Sequence, residues 1–271
     1  ATSNSILYVN AKPIFVDINE DGNINLDLCE EELKKDPTIK AIYAVHFSGN
    51  PVNQEKFDRA VKKAKKHILR GRITKGYRAF GTNMGTRYGI DSGFSPVRNF
   101  RDRYNPMTEA ITNKAMAEKY KTRHSTCRYC SVLCGHKGMY PDGKMRQIPE
   151  YETTGMFGSN IENYDTDKIA IWNDIMNEKG IDTISAGGTI AWAMEAGEKG
   201  LRKTELSFEN HDNIARILED IAYRRNEWAE LAEGSKRLSE KYGGKAFAMH
   251  AKGLEFSAYD PRACRGHGGF G

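Results

Sequence analysis

Residues 165–199 read DTDKIAIWNDIMNEKGIDTISAGGTIAWAMEAGEK, and this stretch decides the fold class. In its first part, Ile169, Trp172 and Met176 recur at the spacing of one helix face, which predicts an amphipathic helix that buries this face. A second helix is predicted over 189–199, where a glycine just past its end would stop it.

Three further helices are predicted after this stretch, over 210–224, 227–233 and 236–242, and the last two are shorter. Asn210 is predicted to cap the first of them, because a short polar side chain satisfies the unpaired N–H groups of a first turn. Glycines follow the other two, as is typical of helix ends. The sequence therefore predicts a mainly α fold built around a helical domain.

Residues 1–53 carry a different pattern, that of a small α/β unit. Three short β-rich runs are predicted as strands, over 5–9, 12–18 and 39–47. A helix is predicted over 26–35, where acidic residues come early and lysines late, as the helix dipole favours. We therefore expect a small α/β fragment in front of the helical domain.

The region that joins these parts is first basic and then rich in glycine. Residues 54–70 predict a basic amphipathic helix, whose lysine-rich face is typical of solvated surface. Residues 75–105 are predicted to lack regular structure, and their glycines would let the backbone approach a neighbour closely. We place the two domains at 1–53 and 54–271.

Composition argues against several classes of function. Lys and Arg number 41 against 36 Asp and Glu, and this net charge of +5 is too small and too evenly spread to predict nucleic-acid binding. No apolar run approaches the roughly 20 residues that span a bilayer, so no membrane partner is predicted. The chain begins without Met or a secretory signal, so we expect a cytoplasmic protein that is cut at both ends.

The cysteines point to a metal centre. Their number is five, and an odd count without a secretory signal favours a reducing compartment over a disulfide framework. Three of them, Cys127, Cys130 and Cys134, fall within eight residues. Thiols spaced in this way can direct several sulfurs at one point, which indicates a polynuclear iron–sulfur centre.

Two other interpretations of this cysteine run stay open. His124 and His136 flank the run and would suit zinc, although zinc ligands usually come as separated pairs. A chance cluster of buried small residues is the second alternative. A 4Fe–4S cluster also needs a fourth ligand, which Cys29, Cys264 or a residue beyond this chain could supply.

Five segments of the chain match one known family in order. They are Gly81-Thr82 with Ser95-Pro96-Val97-Arg98-Asn99-Phe100, the three-cysteine run, Pro149-Glu150-Tyr151-Glu152-Thr153 with Gly158-Ser159-Asn160, Asn177-Glu178-Lys179-Gly180-Ile181-Asp182-Thr183-Ile184-Ser185, and Lys252-Gly253-Leu254-Glu255 with Asp260-Pro261-Arg262-Ala263. On these segments, residues 55–271 resemble the tungsten- or molybdenum-dependent aldehyde:ferredoxin oxidoreductase family.

The resemblance implies a fold, two cofactors and a reaction. Members of the family combine a β-rich domain that cradles two pyranopterins with two largely helical domains, and their metal is tungsten or molybdenum. A nearby 4Fe–4S cluster passes electrons to ferredoxin or another electron-transfer protein, while a small-molecule aldehyde is oxidised to a carboxylic acid under anaerobic conditions. Whether the protein is a homo-oligomer is left open.

The resemblance also implies roles for particular residues. Cys127, Cys130 and Cys134 match cluster ligands, Glu152 and Tyr151 match catalytic positions beside the metal, and Asn177, Gly180, Asp182 and Arg98 are expected to bind the pterin cofactor. Asn177 departs from the family pattern, which has Asp there, so the charge at this position is lost. For Glu152 the structural alternative is a helix-capping or surface acid, and for Gly180 it is an ordinary helix end. The family's fourth cysteine and its β-rich cradle fall outside this chain.

Residues 1–53 are similar to a different family, the DegT-type pyridoxal-phosphate sugar aminotransferases. The likeness rests on the run Ala1 to Ile6, the run Ala11 to Ile18 and the segment Gly49-Asn50-Pro51. The Schiff-base lysine of that family lies beyond the matching fragment, so aminotransferase activity is not expected.

The leading functional hypothesis is therefore a fragment of a tungsten- or molybdenum-pterin oxidoreductase. One alternative is an iron–sulfur electron-transfer module without pterin, and another is an active-site subunit of the benzoyl-CoA reductase type. A pyridoxal-phosphate transferase is the third alternative.

Overall fold

A computed structural model describes residues 12–39, 41–42, 44, 51–127, 130 and 132–263. The chain forms two compact units by its internal contacts. The first comprises residues 1–75 with 129–132, and the second comprises residues 76–128 with 133–271.

The first unit is built on two helices, α1 (Leu26–Lys35) and α2 (Gln54–Arg70), which pack against each other. The Asn25 side chain caps α1 by accepting hydrogen bonds from the first-turn N–H groups, and Leu26 and Leu33 are buried. Both helices lie where the sequence predicts them.

The strands predicted in this unit, unlike its helices, are not found among the described residues. Residues 12–18 form only an isolated bridge between Ile18 and Ile24, so the strand predicted there is wrong. The run at 5–9 lies outside the described residues, as does most of 39–47.

The second unit is mainly helical, which confirms the predicted fold class. Its helices are α3 (Arg72–Phe80, which begins in the first unit), α4 (Met84–Ser92), α5 (Asn113–Tyr120), α6 (Tyr151–Phe157), α7 (Thr166–Lys179), α8 (Thr183–Glu198), α9 (Ile214–Ala222) and α10 (Gly234–Tyr242). Short 3₁₀ helices lie at Pro106–Ile111, Ser159–Ile161, Asn226–Glu233 and Lys245–Phe247.

Helix α8 forms the centre of this unit. Its residues from Gly187 to Ala196 are all buried, and a helix that is enclosed on every side is expected to be apolar all round. It packs against α6, α10 and the strand β5 (Leu254–Glu255), which pairs with β4 (His250–Ala251). Trp192 of α8 and Phe157 of α6 are among the largest fully buried side chains.

A small antiparallel sheet carries the cysteine run. Its strands are β1 (Arg123–His124), β2 (His136–Met139) and β3 (Met145–Gln147), in that spatial order. His124 pairs with His136, so the chain leaves β1, passes through the cysteines and returns to β2. The run is therefore the connection of a β-hairpin, which we call the cysteine hairpin (residues 123–139).

The prediction that residues 75–105 lack regular structure is wrong, because α3 and α4 cover most of their first part. The glycines of α4 lie where side chains of other segments approach the helix backbone closely. A Cβ added at Gly85 would lie 2.6 Å from the Tyr151 ring, and one at Gly89 would lie 2.3 Å from Ser95 Oγ. The close approach offsets the low helix propensity of glycine, which a local pattern cannot show.

Other helix bounds also differ from the predictions. Helix α8 begins at Thr183 rather than 189, because Asp182 caps it and accepts a hydrogen bond from Ser185 N–H at 2.7 Å. Helix α9 begins at Ile214, and its N-cap residue is Asn213 rather than Asn210. By contrast, α7 buries Ile169, Trp172 and Met176, as predicted.

Within the described part of the chain, no helix combines the length and the apolar character that crossing a bilayer requires.

Candidate functional site

Glu152 lies in the first turn of α6 and is half-buried. Its Oε2 atom accepts a hydrogen bond of 2.7 Å from the Ala258 N–H group. Burial raises the pKa of this carboxyl, the bond from Ala258 opposes that change, and the nearby charge of Asp182 adds to it. The net result is a pKa above the ordinary glutamate value, as suits a carboxyl that holds and releases a proton.

Tyr151 precedes Glu152 and is buried, with 4% of its surface exposed. Its hydroxyl donates to the Ala258 carbonyl, and its ring lies 5.0 Å from the Tyr259 ring between centroids. Its own N–H group donates to Thr82 Oγ1 at 3.0 Å. Tyr151 and Glu152 therefore hold opposite ends of residue 258, one at the carbonyl and the other at the N–H group.

We expect Tyr151→Phe to raise the pKa of Glu152 further. Without the phenol, the Ala258 carbonyl loses its donor, so the Ala258 N–H group is held less firmly against the carboxylate that it stabilises. Carbon-detected NMR of the glutamate carboxyls, assigned with Glu152→Gln, would measure the shift in the folded chain.

Tyr120→Phe is the matched control for this prediction. Tyr120 is also buried, and its hydroxyl bonds to Thr166 and Asp167 rather than to the Ala258 segment. An unchanged Glu152 pKa in Tyr151→Phe, or an equal change in both variants, would contradict the positioning role.

The segment predicted to bind pterin is the corner between α7 and α8. Gly180 ends α7 with a φ of 70°, and Asp182 caps α8, so the helix-end alternative is what the structure shows for Gly180. Asn177, Gly180 and Asp182 are all exposed. Thr153 Oγ1 donates to Thr183 Oγ1 at 3.0 Å, which fixes the start of α8 beside Glu152 and its helix.

Arg98 is engaged by protein carboxylates. Its guanidinium pairs with Glu162 and Glu198, lies 3.2 Å from Glu209, and stacks 4.6 Å from the centre of the Phe208 ring. Arg98 also begins three successive left-handed residues, with φ values of 49°, 52° and 58°, which are strained for side chains other than glycine. These partners occupy the guanidinium donors of Arg98. A contact between Arg98 and a cofactor therefore stays a prediction.

The cysteine hairpin is anchored at its base. Ser125 N–H donates to Gly135 O at 2.9 Å, and Gln147 Nε2 donates to Ser125 O at 3.0 Å. His136 Nδ1 lies 3.0 Å from Cys134 O. Gly81, at a φ of 69°, approaches so closely that a Cβ there would lie 3.1 Å from Cys134 O.

The three cysteines of this hairpin differ in exposure. Cys127 is exposed, and Cys130 and Cys134 are half-buried. Cys127 and Cys134 belong to the second unit, whereas Cys130 is grouped with the first. No three His, Cys, Asp or Glu side chains among the described residues form a metal site, so the three-sulfur centre stays a prediction.

The two candidates for a fourth ligand have different outcomes. Cys29 is buried in α1, and burial raises the pKa of its thiol, as for a structural cysteine. Cys264 lies outside the described residues.

Sequence reasoning missed the backbone partner of Glu152. Ala258 has no reactive side chain, so only the spatial arrangement reveals its N–H group as a ligand of the carboxylate. Asp260 and Arg262, in the last of the matching segments, form an ion pair at 2.6 Å.

Comparisons with known proteins bear on both units. The family model described as "Aldehyde ferredoxin oxidoreductase, domains 2 & 3" matches residues 59–269. The tungsten-containing aldehyde ferredoxin oxidoreductase of Pyrococcus furiosus is 37% identical over 196 residues, which are 70% of this chain and 32% of that protein. The chain thus spans about a third of the length of the curated relatives it matches.

The amino-terminal part matches the DegT/DnrJ/EryC1/StrS aminotransferase family over residues 1–70. A relative from Campylobacter jejuni, UDP-4-amino-4,6-dideoxy-N-acetyl-beta-L-altrosamine transaminase, is 42% identical over 64 residues, which are 23% of this chain and 17% of that protein.

A solved structure, the active site complex BamBC of benzoyl coenzyme A reductase with 1,5-dienoyl-CoA, is similar with a TM-score of 0.51. It is 19% identical and covers 67% of this chain and 29% of that chain, so it shows a likeness of fold. Both resemblances read from the sequence are confirmed. The match over residues 59–269 shows that the chain belongs to the aldehyde ferredoxin oxidoreductase family.

Proposed function

We propose that the second unit is the helical part of a tungsten- or molybdenum-pterin oxidoreductase that oxidises an aldehyde to a carboxylic acid. Electrons would leave through a 4Fe–4S cluster to ferredoxin or another electron-transfer protein. The observation that carries this proposal is Glu152, a half-buried carboxyl with a raised pKa at the position that the family resemblance implies. A cytoplasmic location is part of the same proposal.

The residues present fit the cofactors in their chemistry. The cysteine hairpin offers thiols, and no disulfide joins the described cysteines, so Cys127, Cys130 and Cys134 would hold the cluster with one further ligand. The α7–α8 corner offers an exposed amide at Asn177 and an exposed carboxylate at Asp182, which suit the donors and acceptors of a pterin ring. When bound, the metal–pterin group would accept the two electrons of the oxidation.

Glu152 would handle a proton of this reaction. Conversion of an aldehyde and water to a carboxylic acid releases two protons and two electrons, so a base near the reacting carbon is needed. The Ala258 N–H group occupies Oε2, and no hydrogen bond from the described residues reaches Oε1. Oε1 is therefore the atom that would take up the proton, and the raised pKa makes this exchange easier near neutral pH.

We expect Cys127→Ser and Cys134→Ser each to lose most of the iron that the chain retains after anaerobic reconstitution with ferrous iron and sulfide. Serine oxygen is a poor substitute for a thiolate on iron, so a cluster that lacks one sulfur is retained weakly. Iron and acid-labile sulfide would be measured per chain, together with the absorbance near 400 nm.

Cys29→Ser is the control for these variants, because Cys29 is buried in α1 of the first unit. Equal iron in all variants would contradict the assignment of the hairpin thiols. Loss of iron in the control as well would show that a general folding defect is responsible.

Metal content of anaerobically purified chain tests the proposal as a whole. Iron and sulfide with tungsten or molybdenum would support it. Iron and sulfide alone would favour the electron-transfer module without pterin, and the absence of all four would overturn the holoenzyme assignment. Zinc in their place would favour the zinc alternative, and a borohydride-sensitive aldimine would favour a pyridoxal-phosphate transferase.

A further inference from the structure

One short turn, Gly81-Thr82, contacts both the cysteine hairpin and the helix that carries Glu152. It joins the end of α3 to the start of α4, and its contacts with Cys134 and with α6 lie within the second unit. The hairpin thiols and Glu152 carry the proposed chemistry. A turn that touches both parts can therefore fix the arrangement in which they act.

Gly81 contacts the base of the cysteine hairpin. A Cβ added at Gly81 would lie 3.1 Å from Cys134 O and 3.2 Å from His136 Nδ1, and these two hairpin atoms are 3.0 Å apart. Gly81 N–H donates to Tyr77 O at 2.8 Å, so the same residue also ends α3. A larger residue at this position would push either the turn or the hairpin away.

Thr82 contacts the first turn of α6. The N–H groups of a first turn have no acceptor within their own helix, and the side chain of the N-cap residue Glu150 makes no capping hydrogen bond. Thr82 Oγ1 accepts a hydrogen bond from Tyr151 N–H at 3.0 Å and donates one to Glu150 Oε2. A hydroxyl from 69 residues earlier in the chain therefore replaces a local cap.

The turn that Thr82 caps is the turn that contains Glu152. Glu152 follows Tyr151 directly, its carboxyl is half-buried, and Asp182 is the nearby charge that acts on it. A first turn whose N–H groups lack an acceptor opens more readily. The Thr82 hydroxyl therefore helps to keep the Glu152 carboxyl away from water and beside the Ala258 N–H group.

We propose that Gly81 and Thr82 are positioning residues of the oxidoreductase, which hold the hairpin thiols and the Glu152 carboxyl in one fixed arrangement. Gly81 acts through the hairpin backbone and Thr82 acts through the first turn of α6. This inference rests on the proposed function, since that function divides the electrons and the proton between these two groups.

Thr82→Val tests the cap in the full chain without added metal, because valine removes the hydroxyl and has a similar size. We expect the Tyr151 amide proton to exchange with solvent about fivefold faster. The pKa of Glu152 should fall toward the ordinary glutamate value, since burial is the largest cause of its rise. Thr82→Ser retains the hydroxyl and should restore both values. Amide exchange and carboxyl titration by NMR would measure them.

Thr86→Val is the matched control. Thr86 is buried in α4, and its hydroxyl donates to Asn83 Oδ1 rather than to a group of α6. Exchange at Tyr151 within about twofold of the parent chain is expected for this variant, with an unchanged Glu152 titration. Equal changes in the two valine variants, or no recovery in Thr82→Ser, would overturn the role of Thr82. So would an unchanged Tyr151 exchange in Thr82→Val.

Gly81→Ala tests the contact with the hairpin, and Gly93→Ala is its control. Both glycines end a helix with a left-handed φ, 69° at Gly81 and 66° at Gly93, but a Cβ at Gly93 would meet none of the described atoms within 4 Å. We expect Gly81→Ala to shift the Glu152 titration in the metal-free chain and to retain less than about half of the parent's iron after reconstitution. Gly93→Ala should do neither. A Glu152 titration that the two alanine variants change equally, or that Gly81→Ala leaves unchanged, would overturn the role of Gly81.

The readouts separate this inference from the function on which it rests. Amide exchange and carboxyl titration need no cofactor, whereas metal content tests the function itself. A chain that retains its metals but lacks the expected changes in Thr82→Val and Gly81→Ala would overturn only the positioning roles. A chain that shows these changes but retains neither iron nor sulfide would keep the arrangement and overturn the redox function.

Discussion

Glu255→Ala is expected to lower the free energy of unfolding of the second unit by about 3 kcal/mol. The Glu255 carboxylate is 4% exposed and accepts hydrogen bonds from Ser235 N–H at 2.7 Å and Ser235 Oγ at 2.8 Å. Thr189 Oγ1 lies 3.4 Å from the same oxygen. Alanine would leave these buried donors without an acceptor and remove a negative charge from the amino-terminal end of α10.

Chemical denaturation, followed by circular dichroism, would measure this change. Glu255→Gln retains an acceptor but not the charge, so its loss should be about half as large. Glu240→Ala, at an exposed acid of α10, should stay within about 0.5 kcal/mol of the parent chain. If Glu255→Ala is as stable as Glu240→Ala, the carboxylate does not hold α8, α10 and β5 together.

Gly187→Ala is expected to destabilise the second unit by about 2 kcal/mol, although alanine favours a helix more than glycine does. A Cβ at Gly187 would lie 2.6 Å from Met156 Cβ and 3.0 Å from Met156 O. The backbones of α8 and α6 would then have to separate, which outweighs a propensity gain of about 1 kcal/mol. The separation would also move Asp182 away from Glu152.

Gly76→Ala is the control for this prediction. Its nearest neighbour is Met84 Sδ at 3.2 Å, the far end of a flexible side chain, so the helix propensity of alanine should be retained. We expect a stability equal to the parent chain or up to about 1 kcal/mol higher. Denaturation midpoints of the two variants would decide the matter, and equal losses would mean that close packing at Gly187 is not the cause.

The fold was predictable where signals are local. Helices α1 and α2 have the predicted bounds, because dipole-matched charges and amphipathic spacing act within a few turns of chain. The mainly α class and both family resemblances also follow from the sequence alone. Helices α3 and α4 were not predicted. In α4, the glycines that weaken a helix locally are the positions that approach Tyr151 and Ser95.

The candidate site, like the fold, could be predicted from the sequence only in part. Motif order pointed to Glu152, to Asp182 and to the three hairpin cysteines, but not to what surrounds them. The Ala258 N–H group donates to Glu152, and the Ala258 carbonyl accepts from the Tyr151 hydroxyl; both bonds join segments more than 100 residues apart in the chain. The burial that raises the pKa of Glu152 also depends on neighbours in space. Such contacts leave no periodic pattern.

The sequence by itself determined the helical class, the two resemblances and the types of residue available for chemistry, because composition and local spacing are properties of the chain. Only the tertiary structure decided which helix ends meet and which carboxyl is removed from water. Solvation and charge depend on neighbours in space, and packing rather than chain order selects those neighbours.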